Sequence, residues 1–319
     1  MNILHVRNIA NVAYNLSMQQ KKMGHKVVIL NITQDYTSEK VDISLDLPFK
    51  YSKKDMFSRF KIISASLSQV VKGRDFDIIH LHDAGIFPQD VDIPLFFKRH
   101  GKVIVHWHGS KLRRGFRKTF GSKYADAEIV STPDLLEYAP EAKWIPNCIP
   151  LHGLDKINRN DGRILIGHAP TNRTLKGTKY FLEVMNQLKK KHPHVNYLLI
   201  ENQSHKKTIE LLQNCDVVVD SVGFYDKSQV GWYGVLTNES QQMGIPSCTW
   251  IKPGLEQFLT ESSGIVNVTK DNLKQKLEEL ILDETLRKDL GRNGKKYVEK
   301  IHNNREICKK ILTLYTQII

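Results

Sequence analysis

The chain has 319 residues, 40% apolar, 25% charged and 8% aromatic, which fits one large or two medium globular domains and excludes disordered, collagen-like and coiled-coil classes. Its net charge of +13 raises nucleic acid or an acidic membrane as partners, but the excess is spread over both halves. It is locally dense only at residues 111–123, KLRRGFRKTFGSK.

The opening MNILHV reads as a strand (1–6), followed by a helix over 12–23 that Gly24 ends and a second strand over 26–32. Further apolar runs predict strands at 77–81, 103–107 and 128–131. Short apolar runs alternating with helical periodicity are the pattern of strand–helix–strand units around a parallel sheet. After WIPNCIP (144–150), the polar passage 155–162 has no periodicity and is expected to be a linker. The pattern then restarts with a strand at 164–168, a helix at 178–192, a strand at 197–201, a helix at 206–214 and a strand at 217–220. Gly244 and Pro246 punctuate the exit from the next helix, and 273–280 and 284–301 read as surface helices. In the tail, Ile307, Ile311, Leu314 and Ile318 recur at helical spacing, which predicts an amphipathic helix over 305–319 packing back across the cleft. The expected domains are therefore 1–150 and 151–304 plus this helix. Two such domains in tandem put the carboxyl ends of two sheets at a cleft, where open α/β sheets bind ligands.

No basic-then-apolar leader precedes the first strand and no run of 18 apolar residues occurs, so a cytoplasmic protein is expected. Cys148, Cys215, Cys248 and Cys308 lack CxxC spacing, which suits a reducing compartment and no zinc site.

Six segments carry candidate chemistry. In HAPTNRTLKGTKYF (168–181), Arg173 and Lys176 stand in a loop opening a helix, where both cations and the helix amides converge on an anion such as a diphosphate. A solvated basic pair is the plainer alternative. In GWYGVLTNESQQMGIP (231–246), Gly231 and Gly234 flank Trp232 and Tyr233 in a loop whose backbone can approach a ligand, and Glu239 follows in a helix. Its carboxylate suits a vicinal diol, as acidic residues of dinucleotide folds hold a ribose; an acid favoured by the helix dipole is the alternative.

In FDIIHLHDAG and KVIVHWHGS, His80/His82 and His106/His108 each fall on one face of a strand. Without a further His, Cys or Asp at ligand spacing, no metal site is expected, and His80 and His106 read as packed residues. In VRNIANVAY (6–14), Arg7, Asn8 and Asn11 are acceptor-side candidates, with a helix cap as the preferred role for Asn11. Arg113 and Arg114 lie in the basic stretch 111–123, which is either a solvated face or a docking face for anionic lipid or a phosphate-bearing acceptor.

Arg173 and Lys176, followed by GWYGVLTNESQQMGIP and preceded by the two histidine strands, resemble the retaining family 4 glycosyltransferases of GT-B architecture. The resemblance implies two Rossmann-like domains facing each other across a cleft and a UDP- or GDP-sugar as donor. It places Arg173 and Lys176 on the donor diphosphate and Glu239 on its ribose. Trp232, Tyr233, Gly234 and Val235 line the donor, and His108 faces the donor sugar. Transfer with retention to a glycan, lipid-linked or other hydroxyl acceptor is implied, with no cofactor and no essential metal. The sequence departs from the family at Gly231, where the first glutamate of Glu-x7-Glu is missing; Asp220 and Asp226 are the residues near enough in sequence to compensate. A sugar-nucleotide epimerase of the same fold is the nearer rival and needs an acid/base carboxylate pair. A basic module binding nucleic acid or membrane is the other, but no reading helix, stacking platform or zinc motif supports specific nucleic-acid binding. A transferase docked at the inner face of the membrane through residues 111–123 combines the two features.

Overall fold

The computed structural model describes residues 1–33, 41–47, 56–72, 75–83, 85–113, 119–149, 155–225, 229–260 and 262–319. The chain divides into two compact units, Met1–Pro150 with Asn304–Ile319, and Leu151–Asn303.

The first unit is built on a seven-stranded sheet in the order β3-β2-β1-β4-β5-β6-β7. Its strands are β1 (Asn2–Val6), β2 (Lys26–Thr33), β3 (Ile43–Leu47), β4 (Ile78–His82), β5 (Lys102–Trp107), β6 (Ala127–Val130) and β7 (Lys143–Trp144), all pairing in parallel. A parallel sheet is covered on both faces, so its strands read as near-continuous apolar runs. One face sends Leu4, Val6, Ile79, Leu81, Val103, Val105 and Trp107 into a core with Ile63, Leu67 and Val70 of helix α2 (Met56–Val71). The other sends Ile3, Ile78, Ile104 and Ile129 against Leu16 of α1 (Val12–Lys22) and against Ile307, Ile311 and Tyr315 of the chain's last helix, α10 (Asn304–Ile318). The tail helix thus completes the first unit's core. Two one-turn helices, α3 (Asp92–Leu95) and α4 (Ser110–Arg113), sit in the connections flanking β5.

In the second unit five parallel strands run in the order β12-β11-β10-β8-β9. They are β8 (Ile164–His168), β9 (Val195–Leu199), β10 (Val217–Val219), β11 (Ser247–Thr249) and β12 (Ile265–Asn267). The connecting and covering helices are α5 (Thr178–Lys191), α6 (His205–Leu212), α7 (Val235–Gln242), α8 (Leu273–Leu282) and α9 (Glu284–Ile301). The polar passage before β8 is tied down rather than loose. Lys156 and Arg159 reach the two carboxylate oxygens of Asp216 at 2.8 and 2.5 Å, and the Leu165 N–H donates to the same carboxylate. Burial pushes Asp216 up, but these donors outweigh it and hold the group below its ordinary value. All four cysteines are buried free thiols.

Candidate functional site

In the second sheet β8 lies between β9 and β10, so the loops leaving the carboxyl ends of these three strands are neighbours. That adjacency brings together residues far apart in sequence. Lys176, before α5, puts its Nζ 2.5 Å from Asp220 Oδ1, just after β10. The other Asp220 oxygen accepts from the Gly234 N–H and the Thr237 hydroxyl, each at 2.9 Å, at the start of α7. Asp220 is fully buried. Burial drives its carboxyl up, yet Lys176, Gly234 and Thr237 together hold it below its ordinary value. A Cβ at Gly234 would stand 3.3 Å from Asp220 Oδ2 and 3.6 Å from Lys176 Nζ, close against the pair.

Arg173 Nε donates to Glu201 Oε1 at 2.7 Å and a terminal guanidinium nitrogen to Oε2, in a forked pair whose arginine is largely exposed. Glu201 follows β9 directly. Glu239, nearly buried on α7, lies 2.5 Å through Oε1 from Nε2 of His205, the first residue of α6. The Glu239 bond raises the pKa of His205 against the opposing effect of burial. The edge therefore carries three pairs of a basic side chain with a carboxylate, Arg173–Glu201, Lys176–Asp220 and His205–Glu239. Sequence reading singled out one member of the first and last; Glu201 and His205 were missed, although both stand where β9 ends and α6 begins.

Trp232 and Tyr233 occupy the interior, each 3% exposed. The Tyr233 hydroxyl lies 3.0 Å from that of Tyr297 and 3.1 Å from His302 Nε2. Their rings are packing residues, so this loop offers a ligand its backbone and the exposed Val235 side chain. Gly231, where a glutamate was expected, is closed to any side chain: a Cβ would fall 2.6 Å from Lys252 Cβ. Asp220 is not a spare carboxylate for that role, since it is committed to Lys176 and α7. Asp226 lies outside the described residues.

In the first unit, His108 follows β5 directly and is partly buried. Its backbone N–H donates to Asp83 Oδ1 at 2.8 Å, and its ring Nε2 lies 2.9 Å from His82 Nδ1. Burial lowers its pKa against the pull of Asp83 and the Asn147 amide. Arg7 adopts a left-handed backbone (φ 72°) and its guanidinium reaches the Asp83 carbonyl at 3.3 Å. The cap assigned to Asn11 belongs to Asn8: the buried Asn8 Oδ1 accepts the Tyr14 N–H at 3.0 Å. Asn11, at φ 59°, makes no side-chain cap bond and accepts from Asn8 Nδ2 at 3.1 Å. A left-handed residue at the cap position turns its own side chain away from the first helical amides.

Arg113 forks onto Asp134 at 2.8 and 3.0 Å and donates to Thr132, lying over Gly109, where a Cβ would meet its Nη1 at 2.0 Å. It is a fastening residue rather than an open cation. Lys111 faces Asp90 at 3.7 Å, and burial with the nearby Arg7 charge lowers its pKa. Arg114, with the rest of residues 114–118, lies outside the described residues. The described part of the basic stretch thus turns two cations toward carboxylates. Among the described residues no helix is long and apolar enough to cross a membrane.

His80, His82 and His106 bring ligand nitrogens within 4.8 Å of one another. His80 and His82 stack at 4.6 Å and 10°, so their nitrogens run side by side, and His80 bonds Tyr315 and His106 at 2.5 and 3.2 Å. Within the trio His80 and His106 share a hydrogen bond, whereas the two nitrogens of His82 meet His5 and His108.

The chain shares its fold with sucrose-phosphate synthase from Thermosynechococcus elongatus (13% identity, 99% of both chains, TM-score 0.71) and with Anabaena Alr3699/HepE in complex with UDP and glucose (12%, 99% of both chains, 0.71). It also resembles UDP-GlcNAc 2-epimerase from Neisseria meningitidis bound to UDP-GlcNAc (13%, 98% of this chain and 100% of that one, 0.61). No curated protein matches the sequence. Two parallel α/β sheets matched over nearly the whole length define the class as GT-B. Residues 9–150 match the model of Glycosyltransferase Family 4. Over those residues, less than half of the chain, it is similar to that family, and over nearly its whole length it shares the GT-B fold.

Proposed function

We propose that the chain transfers a sugar from a nucleotide diphosphate-sugar, UDP- or GDP-linked, to a glycan or lipid-linked hydroxyl with retention of configuration. The observation that carries this reading is the Asp220 clasp, in which one buried carboxylate orients Lys176 and, by accepting the Gly234 N–H, fixes the start of α7 at the same edge. A diphosphate there takes Arg173 from Glu201 and meets Lys176 already oriented. As the anomeric C–O bond breaks, charge builds on the leaving diphosphate, and fixed cations stabilise it more than mobile water does. The acceptor oxygen bonds to the anomeric carbon on the face the diphosphate leaves, and the acceptor proton passes to the departing phosphate. Glu239 exchanges His205 for the ribose diol, and the family resemblance gives His108 the donor sugar as partner. Solution of a fold neighbour with UDP and glucose favours the uridine donor.

The test is a thermal-shift screen of UDP-, GDP- and ADP-sugars, in which a ligand at 100 times its Kd stabilises by about 2.7 kcal/mol. With the donor known, Arg173→Ala and Lys176→Ala should each lower transfer by about 100-fold with the melting curve retained. Near-normal turnover in both removes the assignment. Conversion of the sugar nucleotide to an epimer without acceptor would instead establish the epimerase, for which an acid/base carboxylate pair is required.

A further inference from the structure

His5 on β1, His80 and His82 on β4, His106 on β5 and His108 just beyond it share one face of the first sheet. Residues two apart on a strand point the same way, and the register sets His5 beside His80 and His82 beside His106. His5, His80, His82 and His106 are almost without exposure. Burial lowers the pKa of every one of them, His5 to about 4, so the rings are neutral.

Three contacts link some of these rings in a line. His108 Nε2 lies 2.9 Å from His82 Nδ1, His82 Nε2 lies 3.0 Å from His5 Nδ1, and His5 Nε2 lies 2.8 Å from Gln20 Oε1 on α1. A neutral imidazole has one N–H and one lone pair, so a ring that donates through one nitrogen accepts through the other. The direction of any one bond then fixes all of them. Gln20 ends the line and sets that direction. Its Oε1 can only accept, while its Nε2 donates to the Tyr315 hydroxyl at 3.3 Å, and that hydroxyl lies 2.5 Å from His80 Nδ1. His5, His82 and His108 therefore each carry their proton on Nε2. His108 Nδ1 is left as a lone pair. Asn147 lies close to the ring, but among the described residues no group meets Nδ1 at hydrogen-bond geometry.

We propose that Gln20, His5 and His82 are positioning residues that set the tautomer of His108 and keep its Nδ1 as a hydrogen-bond acceptor for a hydroxyl at the carboxyl edge of β5. That the hydroxyl belongs to a sugar rests on the transferase reading above; the tautomer does not. A buried N–H left without an acceptor carries its full desolvation cost. Without the Gln20 oxygen the His5 N–H would face an apolar gap; reversing the line moves that proton to His108 Nδ1, at the sheet edge beside the Asn147 amide, whose oxygen can accept it.

The experiment is long-range proton–nitrogen NMR on histidine labelled with nitrogen-15, at neutral pH and without substrate. In the unmodified protein His108 is expected as the Nε2–H tautomer, and finding it as Nδ1–H overturns the proposal whatever the variants do. In Gln20→Leu the His108 signals should switch to the Nδ1–H pattern, whereas Gln20→Glu, which still accepts from His5, should keep Nε2–H. His108 staying Nε2–H in a folded Gln20→Leu protein overturns the relay. Loss of the His82 signals on adding one equivalent of Co(II) also overturns it, since a metal on that lone pair breaks the line. A parallel UDP titration reads the donor site independently. Amides near Gly234 that do not move with UDP would sink the transferase reading and leave the tautomer result standing.

Discussion

Replacing Asp220 by Asn keeps the shape of the side chain and removes the charge that Lys176, Gly234 and Thr237 share. Breaking a buried ion pair by neutralising one partner costs about 3–5 kcal/mol. Lys176 keeps 22% of its side chain exposed, so water relieves part of that cost, and about 2–3 kcal/mol is expected. For a unit of some 150 residues each kcal/mol moves the midpoint by about 2–4 °C, so the variant should melt about 8 °C lower. The pH dependence has a fixed sign. The folded carboxyl sits below its unfolded value of about 3.9, so its contribution is present above that pH and is lost as pH falls through the folded value. The gap between the two proteins should be constant from about pH 5 to 8 and close below about 4. UDP affinity, measured by calorimetry, should fall about tenfold, the loss of about one oriented charged contact. A midpoint shift under about 1 °C, or a gap that widens on acidification, refutes the clasp.

Glu239→Gln should weaken UDP binding by calorimetry, since a ribose diol loses its charged acceptor; unchanged affinity argues against the ribose role. His205 carries a raised folded pKa, so its pair with Glu239 is fully formed below the unfolded value of about 6.5 and is lost as pH rises through the folded value. The ring is 58% exposed, which keeps its stability contribution below about 1 kcal/mol. UDP affinity should therefore rise as pH increases from about 6 to 8.5, and His205→Ala should flatten that profile; a fall in affinity over the same range contradicts the competition. Gly231→Glu should destabilise by about 1–3 kcal/mol in chemical denaturation, because its Cβ meets Lys252 at 2.6 Å. A variant as stable as the parent would show that the position is open after all.

Much of the secondary structure was legible because it is local. The strand at 164–168 and the helix at 284–301 fall where hydrophobic period and punctuation put them. The strands β7, β11 and β12, of two or three residues each, left no periodic signal, because so short a strand is held by its neighbours' ladder rather than by its own pattern. The cap shows the same limit within six residues. Asn8 and Asn11 look alike as polar side chains before a helix, and only the left-handed backbone of Asn11 gives the cap to Asn8.

By itself the sequence determined which residue types stand at the carboxyl ends of the strands: Arg173 and Lys176 after β8, Glu239 on α7, and paired histidines on β4 and β5. Only the tertiary structure decided what each of them faces. Placing β8 between β9 and β10 gave Arg173 to Glu201 and Lys176 to Asp220, and it turned Trp232 and Tyr233 inward. Placing β1 beside β4 and α10 over the same face joined His5, Gln20 and Tyr315 to the histidine pairs. Periodicity along a chain fixes the face on which a side chain emerges, whereas strand order fixes its neighbour, and at this edge the neighbour sets charge, tautomer and access.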